Sequence, residues 1–420
     1  MRRVLVTGVG LLTALGTGAE ATWQALLASR SAVGRVRGFD TSSLRSHLGA
    51  EMSDFDPKEF IDRRSLRKMT RNEQLAVSGA SLAVRDAGLA DGLDGERTAL
   101  FTGSSKEVSD LAKLVDAVVA AGDESGRFSV TKVGESVSGF HPLFYVEGLQ
   151  GASLFYISAA FGLKGANTYF AGTSEAGMNA IGRGFRAVRR GEADVAIAGG
   201  FDDPVWWWGM SSLDSVGVLT GRDDLGEEAF RPYDRDATGA VLGEGAAFLL
   251  LEEYEAARRR GATVYAEVTG YGMAADAHRL LTPHPEGRGL ATAIRNALRD
   301  ARLNPEDISY VASHGTASPL GDLSEARALR AVFAADPPMA SSVKPATGHL
   351  VGGAGALNAA VAALAVRHQA VPPTLNLESQ RPGCEFDWVP GKARELPVLG
   401  AVAVARGFEG QNAALVLRPV

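Results

Sequence analysis

A chain of 420 residues with 45% apolar and 22% charged side chains can bury a large core, which excludes a disordered or fibrous protein. Its formal charge of −6 leaves no whole-protein positive field to hold a nucleic-acid backbone. The single cysteine, Cys384, cannot close an internal disulfide or build a Cys-rich metal site, which fits a reducing cytoplasm. No apolar run is long enough to span a bilayer.

In chain order, MRRVLVTGVGLLTALG places basic residues before an apolar run, as a signal peptide does. Glycines interrupt that run and its core recurs mid-chain, so it reads as a buried first strand. The basic run from Arg63 to Arg71 (RRSLRKMTR) is either a solvated helix face or a local patch for an acidic carrier. A helical, alanine-rich stretch closes with AVRDAGL at Ala83 to Leu89 and leads into the strand-like TALFTGSS from Thr98. Strand-like TYFAG then precedes Ser174, and small, helix-compatible residues follow it. Trp206 to Trp208 read as core or subunit contact.

The second part of the chain repeats the first. VTGYG at Val268 to Gly272 answers VTGVG at Val6 to Gly10, and ALRDARL at Ala297 to Leu303 answers AVRDAGL. Each leads into a strand ending in small residues, SYVASHGT from Ser309 being the second. This order implies a duplicated α/β unit, divided near Arg260 into residues 1–260 and 261–420. The longer first half implies insertions around residues 28–70 and 105–150. Loops after matched strands should converge on one site.

Three segments supply chemistry there. Ser174 falls near a helix N-terminus, where free N–H groups favour developing negative charge; an ordinary N-cap serine is the alternative. His314 and His349 both lie in glycine-flanked loops, and two neutral imidazoles can donate to a thioester carbonyl or a developing enolate. Lys344 either orients His349 or forms an ion pair with Asp322 or Glu325. A dinucleotide fingerprint at VTGVGLLTALG lacks its last glycine, and DRDATG at Asp234 has Gly245 where a calcium loop needs glutamate. His278 and His284 have no ligand pattern, so neither metal nor bound cofactor is expected. GTSEA approaches the G-x-S-x-G elbow, and Ser174, Asp322 and His349 follow the chain order of α/β-hydrolases, but the final glycine is missing.

From end to end the chain resembles the β-ketoacyl-acyl carrier protein synthases of the thiolase superfamily. The resemblance is carried by VTGVG, KMTRNEQLA, EADVAIAGG, FRPYDRDATGAVLGEGAAFLLLEE, HGTASPLGD, KPATGHLVGGAG, VPPTLNLE and GFEGQN. It implies a thiolase-like fold, duplicated βαβαβαββ halves in α-β-α-β-α layers, dimerisation, and substrates tethered by phosphopantetheine to an acyl carrier protein. It also implies catalytic roles for His314, His349 and Lys344, and phosphopantetheine contacts for Thr316 and Ser318. Counting back eight residues from Gly182, Ser174 stands where the family has its nucleophilic cysteine. Arg406 replaces a gating phenylalanine beside Phe408, Glu409 breaks a glycine pair, and Asn358 replaces the lysine's glutamate partner. These departures resemble a chain-length factor in a type II system, favouring a heterodimer over a homodimer, although such partners often lack the histidines as well. A Ser/His-dependent acyltransferase or malonyl decarboxylase is the alternative.

Overall fold

A computed structural model describes residues 1–90, 92–106, 111–123, 125–135, 143–149, 151–334 and 336–420. Part of the expected 105–150 insertion therefore lies outside the described residues. The first half supplies strands β1 (Val4–Thr13), β2 (Thr98–Ser104), β3 (Asn167–Ala171), β4 (Val195–Asp202) and β5 (Gly245–Glu253). The second supplies β6 (Ala266–Ala275), β7 (Tyr310–Ala312), β8 (Met339–Ser341), β9 (Ala401–Arg406) and β10 (Gln411–Arg418). Their spatial order is β8-β7-β9-β10-β6-β1-β5-β4-β2-β3, so the same path runs outward from the centre twice. The two copies meet where β1 and β6 pair antiparallel, Val4 opposite Val268.

The helices repeat in step: α1 (Arg71–Asp86), α2 (Ala152–Phe161) and α3 (Ala176–Arg190) are answered by α4 (Arg288–Ala301), α5 (Pro319–Val332) and α6 (Ala354–His368). Helices α3 and α6 pack on each other and touch strands of both halves, while α1 and α4 cover the outer faces. The layers are therefore α-β-α-β-α, the thiolase-like arrangement. Helix α6 is buried along Ala354–Val366, where every residue but Asn358 is apolar or glycine, as a central helix requires. Helix Tyr254–Arg259 lies between β5 and β6. A division at Arg260 remains a proposal, motivated by that helix.

The repeated sequence motifs have a common physical cause. The strand register shifts between Val6 and Gly8 in β1 and between Val268 and Gly270 in β6, so both VTG triplets form bulges. A Cβ at Gly10 would lie 2.2 Å from Gly79 O, and one at Gly272 2.3 Å from Ala293 O. Only glycine lets α1 and α4 lie so close to these strands. The repeated aspartates then bind them: Asp86 accepts from Val9 N at 2.8 Å, and Asp300 from Tyr271 N at 3.1 Å.

Val4–Thr13 is buried at all ten positions, so the N-terminal apolar run is a central strand. The basic run is not one helix face: Asp62 caps a short helix at Arg63–Leu66, and Thr70 starts α1 with a capping box to Glu73. Arg63, Arg64, Arg67 and Lys68 are exposed, whereas Arg71 binds Glu244 at 3.0 Å. Trp207 and Trp208 are exposed at 39% and 43%, which removes the core reading for both. Among the described residues no helix is long and apolar enough to cross a membrane.

Gly10→Ala and Gly272→Ala should each destabilise the fold by about 1–3 kcal/mol, because the new methyl meets backbone that cannot yield cheaply. Thermal unfolding of the two variants checks this, and their similar losses would reflect the shared geometry.

Candidate active site

Ser174, His314 and His349 converge, although up to 175 residues separate the serine from His349. Strand β3 ends at Ala171 and a tight turn carries Ser174 before α3 begins at Ala176. Glu175, not Ser174, occupies the N-cap, and it makes no side-chain cap bond, so the ordinary N-cap explanation for the serine fails. Ser174 is instead 4% exposed, its Oγ 3.3 Å from His349 Nε2. Its carbonyl accepts from Gly355 N at 2.9 Å, tying it to the start of α6.

His349 is held on its main chain and on its ring. Its N–H donates to Val241 O at 2.8 Å, and Gly348 before it takes φ 70°, the left-handed region suited to glycine. Its ring Nδ1 accepts from Val351 N at 3.1 Å. A nitrogen that accepts an N–H carries no proton, so in the neutral ring Nε2 is the donor and faces Ser174. His349 therefore does not serve Ser174 as a general base in this state. The His314 ring lies 5.8 Å from that of His349, nearly perpendicular. Burial holds both imidazoles well below their ordinary range, and the charge of Lys344 pushes the same way.

The loop bearing His314 is clamped from α5. Glu325 accepts from His314 N at 2.7 Å, from Gly315 N at 2.9 Å and from the Tyr233 hydroxyl at 2.9 Å. Asp322, one helical turn away, accepts from Tyr233 N at 2.7 Å and Thr316 N at 3.2 Å. Burial raises the Asp322 carboxyl to about 7. Tyr233 stacks on Trp388 with ring centres 3.5 Å apart. Lys344 Nζ donates to the carbonyl of His314. Burial lowers its ammonium to about 8, against the opposing charges of Glu325 and Asp322.

Thr316 and Ser318 line the same cavity as Ser174 and both histidines, as do Arg406 and Phe408. Ser318 also caps α5, accepting from Gly321 N at 3.3 Å. Arg406 is buried and fixed: it donates to Asn412 at 3.1 Å and Ser324 at 3.0 Å, and lies 3.6 Å from Asp276. Two expected pocket residues belong elsewhere. Asn358 is buried in α6 with its amide donating to Ser313 O and Val404 O, both at 2.9 Å, so it braces strand ends. Glu409 is exposed and lines the adjoining cavity with Asp203 and Arg71.

The hydrolase arrangement is not formed. Asp322 is committed to Tyr233 and Thr316, and His349 Nδ1 to Val351, so among the described residues no carboxylate orients the imidazole. Among the described residues no group of three His, Cys, Asp or Glu is placed to hold a metal. Sequence reasoning assigned no role to Tyr233, Thr173 or Glu175. Tyr233 lies inside the stretch FRPYDRDATG, and only its contacts with the acids on α5 disclose its part.

This fold is that of the thiolase-like ketosynthases. Residues 1–257 match the beta-ketoacyl synthase N-terminal domain and residues 265–378 its C-terminal domain; the chain belongs to the beta-ketoacyl synthase family. It is 36% identical over 423 residues to 3-oxoacyl-[acyl-carrier-protein] synthase 2 of Coxiella burnetii, covering 100% of this chain and 99% of that one. The structure titled "The ishigamide ketosynthase/chain length factor" is 34% identical, with TM-score 0.90, covering 100% of this chain and 99% of that one. A beta-ketoacyl synthase from Burkholderia phymatum STM815 is 30% identical, with TM-score 0.89 and 100% of both chains covered.

Both imidazoles should stay neutral well below the pH at which a free imidazole takes up its proton, because burial and Lys344 disfavour the charged ring. Lys344→Met should raise both titration midpoints. Imidazole nitrogen NMR against pH reads both effects.

Proposed function

We propose that this chain is a ketosynthase-family partner subunit of a dissociated, type II polyketide or fatty-acid synthase. It acts in decarboxylative Claisen elongation of acyl carrier protein thioesters, beside a cysteine-bearing ketosynthase that supplies the nucleophile. One observation carries this: at the position that the family resemblance assigns to the nucleophile, the Ser174 hydroxyl lies 3.3 Å from a protonated nitrogen of His349. A hydroxyl without a base is a poor acyl acceptor, far weaker than a thiolate at the start of a helix.

Other features support the assembly. The apolar side chains Val119, Tyr145 and Phe155, exposed at 73%, 78% and 68%, suit a protein partner. Strand β3 closes one end of the sheet, and among the described residues no further strand pairs with its outer edge. The exposed Arg63, Arg64, Arg67 and Lys68 suit an acidic carrier, whose phosphopantetheine arm would pass Thr316 and Ser318 to reach the histidines. Lys344, Glu325 and Tyr233 set the position of His314. Arg406, bound on several sides, gives the pocket wall a fixed cation in place of a movable ring. The ishigamide structure, by its title a ketosynthase/chain length factor, is consistent with such a pairing. These carriers and partners set the expected location in the cytoplasm.

Incubated alone with acyl and malonyl carrier proteins, the purified chain should yield no elongated product, and a cysteine-bearing homologue from the same system should restore elongation. Robust condensation by the isolated chain would end this assignment.

A second activity, malonyl decarboxylation, is favoured by the retention of two neutral imidazoles in one pocket. Each can donate to an enolate oxygen without needing Ser174. Carbon dioxide release from malonyl carrier protein should then survive Ser174→Ala and fall about 100-fold or more in His349→Ala. Loss in Ser174→Ala alone would favour a serine-dependent acyl transfer instead.

A further inference from the structure

The turn that carries Ser174 also holds a hydrogen-bond chain with no part in the function just proposed. Phe408 N donates to Thr173 Oγ1 at 3.0 Å, and the Thr173 hydroxyl donates in turn to Glu175 Oε2 at 3.2 Å. Glu175 also accepts from Thr173 N at 3.3 Å, so both donors of the threonine end on one carboxylate. A hydroxyl has a single proton; once it is given to Glu175, the oxygen's lone pairs are turned to the Phe408 N–H.

The carboxylate has a seat made for it. Glu175 is 2% exposed. A Cβ at Gly407 would lie 2.2 Å from its Oε2, and one at Gly172 2.3 Å from its Oε1. Glycine at both positions leaves the space that the carboxylate fills.

Thr173, Ser174 and Phe408 line one cavity with His314 and His349. When a side chain at position 174 attacks a thioester, negative charge develops on the acyl oxygen, and that charge needs preorganised donors about 2.7–3.1 Å away. Among the described residues no hydrogen bond uses the N–H of Ser174, so this donor is free. The N–H of Phe408 ends one residue from Ser174 and is a second main-chain donor in the same wall, but the Thr173 hydroxyl has taken it.

We infer that Thr173, held by Glu175, is a second silencing device: its hydroxyl blocks the Phe408 amide, so a thiol restored at position 174 is still not acylated efficiently. The inference rests on the proposal that residue 174 occupies the acyl-accepting seat of a subunit without a working nucleophile. In the step concerned, the thiolate of the Ser174→Cys variant adds to the acyl carbon and the carbonyl pair moves to oxygen. Collapse then breaks the bond to the carrier's phosphopantetheine sulfur, which leaves as thiolate and takes a proton from water.

The test uses the full chain carrying Ser174→Cys alone, with Thr173→Ala, or with Thr173→Ser. Two rates are measured by peptide mass spectrometry: alkylation of residue 174 by iodoacetamide, which needs no oxyanion donor, and acylation from acyl carrier protein. Ser174→Cys and its Thr173→Ser derivative should be alkylated readily and acylated slowly. The Thr173→Ala derivative should be acylated about 100-fold faster, the worth of one oxyanion donor, at an unchanged alkylation rate. Equal acylation of all three variants overturns the inference, and so does a Thr173→Ala gain matched in alkylation. If Thr173→Ala does not fold, Thr173→Gly takes its place in the same comparison. Failure of the partner-subunit proposal shows separately, as elongation by the unmodified chain, which contains no thiol at position 174.

Discussion

The antiparallel contact of β1 with β6 is the constraint on which the rest of the molecule depends. It joins two copies of one unit at their innermost strands, so the sheet leaves the centre by the same path in both directions. Each of these strands must also admit a helix at backbone distance, which explains glycines at positions 8, 10, 270 and 272. With both strands fixed, α3 and α6 are trapped between the halves, and the loops at their N-terminal ends have one place to meet. The cavity is that meeting place, and the loop between β7 and α5 joins it, so residues from positions 174, 314 and 349 share it.

Much of this was legible in the residues because the repeat had to preserve contacts as well as topology. VTGVG and VTGYG match since both bulge and both face a helix without side chains between. AVRDAGL and ALRDARL match since Asp86 and Asp300 each bind a strand amide of the opposing motif. The two histidines could be singled out for a similar reason, each sitting in a loop that only glycine can turn. What stayed hidden were properties of three-dimensional partnership. From its local sequence Ser174 reads first as a helix cap, yet Glu175 holds that position. Asn358 read as a neighbour of Lys344, yet its amide spans the ends of β7 and β9, a job fixed by strand spacing and invisible along the chain. The basic run read as one segment, but Asp62 and Thr70 break it into two helical starts.

The pocket's electrostatics follow from burial more than from any single charge. Both imidazoles, Asp322 and Lys344 are all displaced toward their neutral forms, and desolvation leads the causes in each case. Glu325 and Asp322 limit the displacement of Lys344, while the main-chain N–H groups they receive keep the His314 loop from drifting. Geometry is thus maintained by acids that never touch the reacting centre, with Tyr233 as the strut between them.

The main-chain amide of Val351, bound to the inner nitrogen of His349, has a consequence for what can occupy the cavity. That imidazole cannot exchange tautomers without breaking a buried bond, so its outward face has a permanent polarity. Guests that lead with a lone pair, such as ketones, thioesters or carboxylates, meet a matching hydrogen. Guests that lead with a hydrogen of their own, such as protonated amines, meet like against like. Selection at this surface therefore sorts small molecules by the direction of their dipole, a criterion independent of chain length and of any covalent reactivity.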